Sequence, residues 1–290
     1  MDTVIATAPA LGSLAGIDGV VRELVPRWLV PVFRAVTALG NVGVFVFVFA
    51  LDYWFVDRER GAHAMGVVIA GMAFITALKY AFAVPRPPSE VAVVTATGYS
   101  FPSGHATGAA IAYGALAADL RVGSRKLRFT VAAVLTALIA LSRVVLGVHY
   151  VRDVVVGVAL GAGFLLLALA ITGRSARLGF LLSVAVGVVA LVVSTVSQDS
   201  VVILGGALGA TAAWETLDEI PSVDRLGSQA VVLGVTVPVF AVLAYLSIRT
   251  ALPLAVTFVL SAVLLAGIVA TPLVAYPVER VRGRGPADSD

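Results

Sequence analysis

Long stretches with almost no charged residues are the feature that most limits what this chain can fold into. Nine of them approach the length of about 20 apolar residues that one membrane-spanning helix needs, although several are short and rich in glycine. With 60% hydrophobic and 13% charged residues, the composition is that of a membrane protein. We therefore predict an all-α fold, a polytopic transmembrane helix bundle of about nine spans. The predicted spans are 38–56, 63–84, 104–120, 128–147, 154–173, 178–197, 201–217, 229–248 and 252–276.

The segment before the first predicted span is amphipathic. Residues 14–27 repeat apolar side chains at helical spacing, with charged side chains between them. This pattern is typical of a helix at the membrane interface, and it equally suits an amphipathic helix packed on the bundle. We assign residues 1–37 to an N-terminal interfacial segment and 278–290 to a cytoplasmic tail.

Charge and cysteine content exclude several kinds of site. The chain has no cysteine, which excludes disulfides, thiolate metal ligands and a cysteine nucleophile. The net charge of +3 is spread over short loops, so no nucleic-acid partner is indicated. His63 lies beside charged residues in the first inner loop and is interpreted as a solvated loop histidine. Two GxxxG patterns, at 157–161 and 205–209, predict close helix packing.

Three groups of polar residues stand at the ends of apolar segments. They are Lys79 and Arg86 in KYAFAVPRPP, Ser103, Gly104 and His105 in PSGH, and Arg143, His149 and Asp153 in SRVVLGVHYVRD. An ionisable side chain at membrane depth costs about 2.5–3.5 kcal/mol, so such groups indicate a function. Three cations against one carboxylate leave the set short of an anion, and a phosphate dianion would supply it.

Each group alone has an ordinary explanation. Lysine and arginine at span ends are commonly anchors, and serine followed by glycine is a common helix start. His149 and Asp153 lie four residues apart, so they can form a simple pair on one helix face. The same spacing would let the carboxylate take the Nδ1 proton and leave Nε2 with a lone pair. The free N–H groups at the helix start after Ser103 favour an anion.

Taken together, the three groups resemble the type 2 phosphatidic acid phosphatase superfamily. Its motifs K-x(6)-R-P, P-S-G-H and S-R-x(5)-H-x(3)-D stand in this sequence as KYAFAVPRP, PSGH and SRVVLGVHYVRD, with no departure at a specified position. The resemblance covers roughly residues 38–173, which we assign to a membrane phosphatase core of five spans. Residues 174–277 add about four spans whose role the sequence does not indicate.

The resemblance implies a covalent phosphohistidine mechanism without a metal or another cofactor. His149 is the expected nucleophile, oriented by Asp153, and His105 is the expected acid and base. The phosphoryl oxygens are expected to bind Lys79, Arg86, Ser103, the Gly104 amide and Arg143.

The implied function is hydrolysis of a lipid phosphate or a polyprenyl diphosphate in the cell membrane. Two alternatives stay open at this point. A phosphohistidine can also be resolved by an alcohol, which would make the protein a phosphotransferase. The additional spans would also suit a lipid or ion transporter, although such a protein has no need of the His–Asp pair. The expected partners are the substrate and membrane lipid, and the oligomeric state is not indicated.

Basic residues between the predicted spans indicate the orientation. One set of loops holds twelve of the twenty lysines and arginines, including the dense group from Arg121 to Arg128. By the positive-inside rule, this set faces the cytoplasm and all three motifs lie on the extracytoplasmic face.

Overall fold

The computed structural model describes residues 16–217, 223, 226–249 and 252–275. The predicted all-α class is confirmed for these residues, whereas the predicted tail 278–290 lies outside them. Eleven α-helices are found in the described part of the chain: α1 (Ile17–Leu24), α2 (Val30–Ala38), α3 (Val42–Phe55), α4 (Arg58–Phe82), α5 (Gly104–Asp119), α6 (Arg125–Val145), α7 (Val151–Thr172), α8 (Ala176–Val193), α9 (Gln198–Thr216), α10 (Leu226–Arg249) and α11 (Leu254–Ala270).

Five segments are long and apolar enough to cross a membrane: α4, α6, α7, α8 and Leu254–Val274, which contains α11. A sixth span results if Arg27–Ala38 and α3, which meet at a bend of 48°, are counted as one broken span. The predicted spans 104–120, 201–217 and 229–248 coincide with α5, α9 and α10, which do not meet this criterion within the described residues. The helices therefore support a polytopic membrane protein, and the count of nine stays a prediction.

Local sequence determines the ends of the helices that lead to the motifs. The Asp57 side chain accepts the backbone N–H of Arg60 over 3.0 Å and caps α4 at its start. α4 ends at Phe82, the next residue Ala83 has a left-handed φ of 48°, and prolines at 85, 87 and 88 prevent continuation of the helix. Ser103 Oγ accepts the backbone N–H of Ala106 over 3.5 Å at the start of α5. The chain is thus directed out of one helix and into the next within about twenty residues.

α4 lies at the centre of the bundle and contacts α3, α5, α7, α8 and α9. The close packing predicted at the two GxxxG patterns is confirmed. A Cβ added at Gly161 of α7 would lie 2.5 Å from the carbonyl oxygen of Thr107 in α5. One added at Gly209 of α9 would overlap the backbone of Ala262 in α11. Small residues therefore allow these two helix pairs to approach closely.

His63 is buried, and its interpretation as a solvated loop residue is wrong. Because α4 begins at Arg58 rather than near residue 63, His63 lies inside the helix, with 1% of its surface exposed. Its Nε2 lies 2.8 Å from Oγ1 of Thr172, whose hydroxyl donates to the carbonyl oxygen of Ala168. His63 therefore links α4 to the end of α7.

α1 packs on the bundle through one face. Val21 lies against a buried apolar cluster at the start of α5, the end of α6 and the start of α7, formed by Ala106, Ala140, Val144 and Val154. Leu24 and the nearby Trp28 are 76% and 73% exposed. The packed helix, one of the two interpretations of this segment, is therefore observed, and its exposed apolar side chains also suit the membrane interface.

Candidate active site

The three motifs converge at one end of the bundle. α4 and α6 bring their C-terminal ends to this place, and α5 and α7 bring their N-terminal ends. The backbone N–H of Ser103 donates to the carbonyl oxygen of Asp153 over 3.0 Å, which ties the start of α5 to the start of α7. Arg86, from the segment after α4, donates to the carbonyl oxygen of Val148 over 3.0 Å. These contacts join all three motifs.

His149 is buried in the loop between α6 and α7, with 1% of its surface exposed. Nη1 of Arg86 lies 3.2 Å from its Nε2. Because an arginine side chain has donors and no acceptor, Nε2 must offer its lone pair. The proton of the neutral ring is therefore on Nδ1, which lies 3.2 Å from Oγ of Ser100.

Ser100 lies between His149 and Asp153. Its hydroxyl donates to Oδ2 of Asp153 over 2.5 Å, which leaves its oxygen free to accept the Nδ1–H of His149. The direct distance from Nδ1 to Oδ2 is 3.5 Å, at the outer limit of a hydrogen bond. The expectation of one direct His–Asp hydrogen bond is therefore incomplete. The backbone N–H of Tyr150 also donates to Oδ2, over 3.1 Å, and fixes the carboxylate at the start of α7.

The environment of His149 keeps its imidazole neutral. Burial is the main cause that lowers its pKa, to about 4, against the opposing effect of the hydrogen bond with Asp153. The positive charges of Arg86, Lys79 and Arg143 lower the pKa further. At neutral pH the ring therefore carries no charge, and its Nε2 lone pair is available to a substrate.

Three cations surround the buried histidine, and each is held by a polar contact. Nζ of Lys79 donates to the carbonyl oxygen of Tyr99 over 2.5 Å. Arg86 donates to the carbonyl oxygens of residues 97 and 98 as well as to Val148. Nη1 of Arg143 donates to Oγ1 of Thr37 over 2.7 Å, whereas its buried Nε has no partner among the described residues. The set has a surplus of positive charge over Asp153.

The start of α5 lies beside Lys79. Gly104 follows the buried Ser103, and a Cβ added there would lie 3.6 Å from Cε of Lys79. Free backbone N–H groups at such a helix start attract an anion, and the lysine adds a full charge. The two features together are suited to holding phosphoryl oxygens.

His105, in the first turn of α5, faces the break between α2 and α3. Its Nε2 lies 2.9 Å from Oδ1 of Asn41. A Cβ added at Gly40 would lie 2.9 Å from Cδ2 of the ring, so the glycine provides room for the imidazole. The second histidine of the motifs is therefore held by an element that the motifs do not include.

The fold thus places all eight residues predicted from the motifs around one site. Sequence reasoning missed three residues that contact them: Ser100, Asn41 and Thr37. Two of these had a signal in the sequence. Ser100 stands within the motif region YSFPSGH, and Asn41 is the only asparagine in the 290-residue chain. Thr37 had no comparable signal.

The site offers cations rather than metal ligands. Across the described residues, no group of three or more His, Asp or Glu side chains is arranged to hold a metal ion. The positive charge of the site comes from Lys79, Arg86 and Arg143.

Comparison with known proteins is consistent with this geometry. Residues 61–177 match the sequence profile of the PAP2 superfamily. The matched segment contains the three motifs in order, together with the four helices that deliver them. The match therefore covers the part of the chain that forms the candidate site.

Curated relatives of this PAP2 region are phosphatases. Phosphatidylglycerophosphatase B of Bacillus subtilis (strain 168) is 38% identical over 80 residues, which are 26% of this chain and 39% of the relative. Decaprenylphosphoryl-5-phosphoribose phosphatase of Mycobacterium tuberculosis, in strains CDC 1551 and H37Rv, is 47% identical over 77 residues, 27% of this chain and 40% of the relative. The chain therefore spans about two fifths of the length of the curated relatives it matches.

A solved structure is also similar to this chain. It is the crystal structure of a transmembrane PAP2 type phosphatidylglycerolphosphate phosphatase from Bacillus subtilis, with 25% sequence identity and a TM-score of 0.49. The similarity covers 54% of this chain and 83% of that one. The similarity to the superfamily rests on the sequence match and not on this score.

Proposed function

We propose that this chain is a membrane-embedded, metal-independent phosphatase that hydrolyses a lipid phosphate or a polyprenyl (di)phosphate through a phosphohistidine intermediate. The observation that carries the proposal is the series of hydrogen bonds from Arg86 through His149 and Ser100 to Asp153, because it leaves Nε2 of a buried imidazole unprotonated. The superfamily match and the phosphatase names of the relatives support the same reaction class.

In the first step, His149 is the nucleophile. A phosphoryl oxygen that binds Arg86 replaces Nε2 as the acceptor of the Nη1 hydrogen, and the lone pair is then free to attack phosphorus. The P–N bond forms as the bond to the leaving oxygen breaks, and His105 gives that oxygen a proton. Ser100 and Asp153 stabilise the positive charge that develops on the His149 ring.

In the second step, water takes the place of the lipid alcohol. His105, now neutral, accepts a proton from the water, whose oxygen attacks phosphorus. The P–N bond breaks, inorganic phosphate leaves, and both histidines return to their initial state. An alcohol in place of water would give phosphotransfer, so the acceptor distinguishes these two activities.

Positioning and charge neutralisation carry most of phosphoryl transfer, and fixed cations can supply both. Lys79, Arg86 and Arg143 are assigned to the phosphoryl oxygens, together with the first backbone N–H groups of α5 after Ser103. Activity should therefore persist in EDTA, and orthovanadate should inhibit by mimicking a five-coordinate phosphorus. Loss of activity in EDTA that magnesium restores would contradict the metal-independent mechanism.

Two cavities beside the site suit an amphiphilic substrate. An apolar cavity of about 600 Å³ lies between α5, α6 and α7, and Val154, the neighbour of Asp153, is part of its wall. A second cavity of about 570 Å³ is lined by Arg34, Arg86 and Ser89, among others. We assign the first to a hydrocarbon tail and the second to the polar headgroup. The positive-inside pattern favours the extracytoplasmic leaflet as the source of the substrate.

Phosphate release by the purified protein in detergent tests the proposal. The substrates to compare are phosphatidic acid, phosphatidylglycerophosphate, decaprenylphosphoryl-5-phosphoribose and a polyprenyl diphosphate. His149→Ala should abolish release, whereas His105→Ala should slow it and let a phosphoenzyme accumulate. Thermal unfolding curves establish that both variants fold. Normal turnover by a folded His149→Ala protein would exclude the mechanism, and lipid transport without phosphate release would favour the transporter.

A further inference from the structure

We propose that Asn41 is a positioning residue for His105, and that the break between α2 and α3 is therefore part of the active site. This inference rests on the proposed function. It concerns a segment that none of the three motifs includes and that lies outside the matched range 61–177. Asn41 itself makes no assigned contact with the reacting atoms, so its role is exerted through the imidazole.

Asn41 stands at a helix start but does not cap its own helix. It is the N-cap residue of α3, a position that asparagine commonly occupies because its side chain accepts a backbone N–H. Here no such hydrogen bond is formed, and Oδ1 lies 2.9 Å from Nε2 of His105. The side chain of the chain's only asparagine thus contacts a residue 64 positions away and does not cap its own helix.

The break is built to place Asn41 against the ring. A Cβ added at Gly40 would lie 2.9 Å from Cδ2 of His105 and 2.8 Å from Cγ2 of Ile139, so this position has room only for glycine. The hydroxyl of Tyr113 donates to the carbonyl oxygen of Leu39 over 2.9 Å and holds the break on α5. Both contacts fix the backbone on either side of the asparagine.

The same segment also holds a second predicted site residue. Oγ1 of Thr37 accepts a hydrogen bond from Nη1 of Arg143 over 2.7 Å. Two residues four positions apart in sequence, Thr37 and Asn41, therefore contact two different motif residues. The α2–α3 break therefore forms part of the wall of the site.

The contact determines which ring nitrogen of His105 serves the reaction. Since the amide oxygen of Asn41 accepts, the proton of the neutral ring lies on Nε2. Nδ1 has no hydrogen-bond partner in the described part of the chain. Nδ1 therefore gives the proton to the leaving oxygen and later takes one from water, while Nε2–H stays on Asn41 through both steps.

A neutral acceptor suits the charges around this histidine. The groups that act on His105 electrostatically are Arg143 on α6, Lys79 on α4, Arg86 after α4 and His149 before α7. Three of them are cations that oppose the imidazolium needed in the first step. A substrate phosphate dianion would counteract these cations and favour the imidazolium. The neutral amide oxygen of Asn41 accepts the Nε2–H hydrogen bond without adding a negative charge, which would otherwise keep His105 protonated in the second step.

Nitrogen NMR of protein labelled with ¹⁵N-histidine tests the contact without any substrate. The chain has three histidines, so single substitutions assign every signal. We expect His105 to be protonated on Nε2 and His149 on Nδ1 at neutral pH. Asn41→Leu should turn the His105 signals into those of a mixture of tautomers and leave His149 unchanged. Unchanged His105 signals in Asn41→Leu would overturn the inference, whether or not the protein is a phosphatase.

Steady-state kinetics tests the consequence. Asn41→Leu should lower kcat at least about 10-fold, a part of the roughly 10²–10⁴-fold that acid–base groups contribute, with KM within about twofold. The alkaline limb of the kcat–pH profile of Asn41→Leu should move to lower pH, because the imidazolium of His105 loses a hydrogen-bond acceptor. Asn41→Asp, of nearly the same size, should move that limb to higher pH. A merely structural role would not give shifts of opposite sign.

Gly43→Ala is the matched control, because it lies in the first turn of α3 and a Cβ there meets nothing within 4 Å. It should keep the wild-type kcat, KM and pH profile. Wild-type profiles in both Asn41 variants would overturn the positioning role while leaving the phosphatase proposal intact. Absence of phosphate release by the wild type on every lipid phosphate would instead refute the proposed function, and the NMR result would still decide the contact.

Discussion

His149 and His105 carry their protons on opposite ring nitrogens, and in each case a neighbour decides which one. Arg86 has only donors, so it forces a lone pair on Nε2 of His149. The amide oxygen of Asn41 accepts, so it holds the proton on Nε2 of His105. In the proposed mechanism, one imidazole is thereby prepared to attack phosphorus and the other to exchange a proton, although the two side chains are chemically identical.

Removal of the Ser100 hydroxyl should impair His149 as a nucleophile. Ser100→Ala takes away the acceptor of Nδ1–H and one donor of Asp153, each worth about 1–2 kcal/mol in a buried site. We expect kcat to fall about 5–30-fold with KM nearly unchanged, measured as phosphate release. Ser100→Thr keeps the hydroxyl and should recover most of the activity. Equal kcat in the alanine variant and the wild type would show that the His149–Asp153 contact at 3.5 Å suffices.

Titration of His149 should show a base far weaker than an ordinary histidine. Burial lowers its pKa to about 4, so its ring should stay uncharged as the pH falls through 6.5 and gain a proton only near pH 4. The ¹⁵N signals of His149, recorded between pH 8 and pH 4 in detergent, measure this directly. A transition of His149 near pH 6.5 would contradict the buried, cation-rich environment.

The motif residues could be predicted because they stand at short, fixed spacings in the sequence. His149 and Asp153 are four residues apart in the sequence, and Ser103 to His105 form a helix start. Ser100 and Asn41 could not be predicted in the same way, because their roles depend on contacts with residues 49 and 64 positions away. The interpretation of His63 was wrong because charged neighbours in the sequence indicate a solvent-exposed residue only where the helix does not bury that position.

At the scale of elements, α1 supports the helix that carries Asp153. Oδ1 of Asp18 accepts the backbone N–H of Val151 over 2.5 Å, so α1 provides a carboxylate at the start of α7. Val151 is two residues after His149. The N-terminal helix is therefore tied to the loop that holds the proposed nucleophile, a connection that the sequence pattern of α1 did not predict.

Loss of this carboxylate should destabilise the protein moderately. Asp18→Ala removes a helix-cap interaction worth about 1 kcal/mol, which should lower the Tm by about 2–4 °C. Thermal unfolding in detergent measures the change. Glu23→Ala, an exposed acidic residue on the same helix, is the matched control and should leave the Tm unaffected. Equal Tm shifts in the two variants would indicate a general charge effect rather than a cap.

Helix positions were easier to predict than helix functions. Apolar length and proline or glycine boundaries identified the predicted span 63–84 as a helix, although α4 begins earlier, at Arg58. The break between α2 and α3 was missed, because only Gly40 and Asn41 interrupt the apolar residues on either side and two residues do not indicate a bend. Such a bend arises from tertiary contacts, here with α5 and α6, and the spacing of apolar residues in the sequence does not reveal these contacts.

At the scale of the whole molecule, the C-terminal helices hold the element that carries Asn41. The hydroxyl of Tyr53 and Nε1 of Trp54, at the end of α3, donate to the carbonyl oxygens of Val269 and Ile268 over 2.8 and 2.9 Å. α11 also packs against α9, and α9 against α4. The helices beyond residue 177 therefore brace α3 and α4 from the side, although their sequence shows no motif.

The side of the membrane that the site faces is the last property to predict. Arg121 lies in the loop between α5 and α6, and Arg125 and Lys126 begin α6. The positive-inside rule predicts that this end of both helices faces the cytoplasm. His105 is at the opposite end of α5, so a crossing by this helix puts the site on the extracytoplasmic face. Val122 is 78% exposed and is a suitable probe of the loop, whereas Ser124 caps α6 and is left unchanged. The exposed Ser89 reports on the other face, and no native cysteine interferes.

In intact cells, an impermeant thiol reagent should label Ser89→Cys and leave Val122→Cys unlabelled. Permeabilised cells serve as the control, in which both variants should react. Val122→Cys should keep phosphate release, and Ser89→Cys should keep the thermal unfolding curve of the wild type, which shows that labelling reports on the native arrangement. The reverse pattern, with Val122→Cys labelled and Ser89→Cys protected, would place the site in the cytoplasm. An outer-leaflet lipid phosphate would then be excluded as the substrate, whereas the hydrogen bonds around His149 would allow the same chemistry on an inner-leaflet lipid.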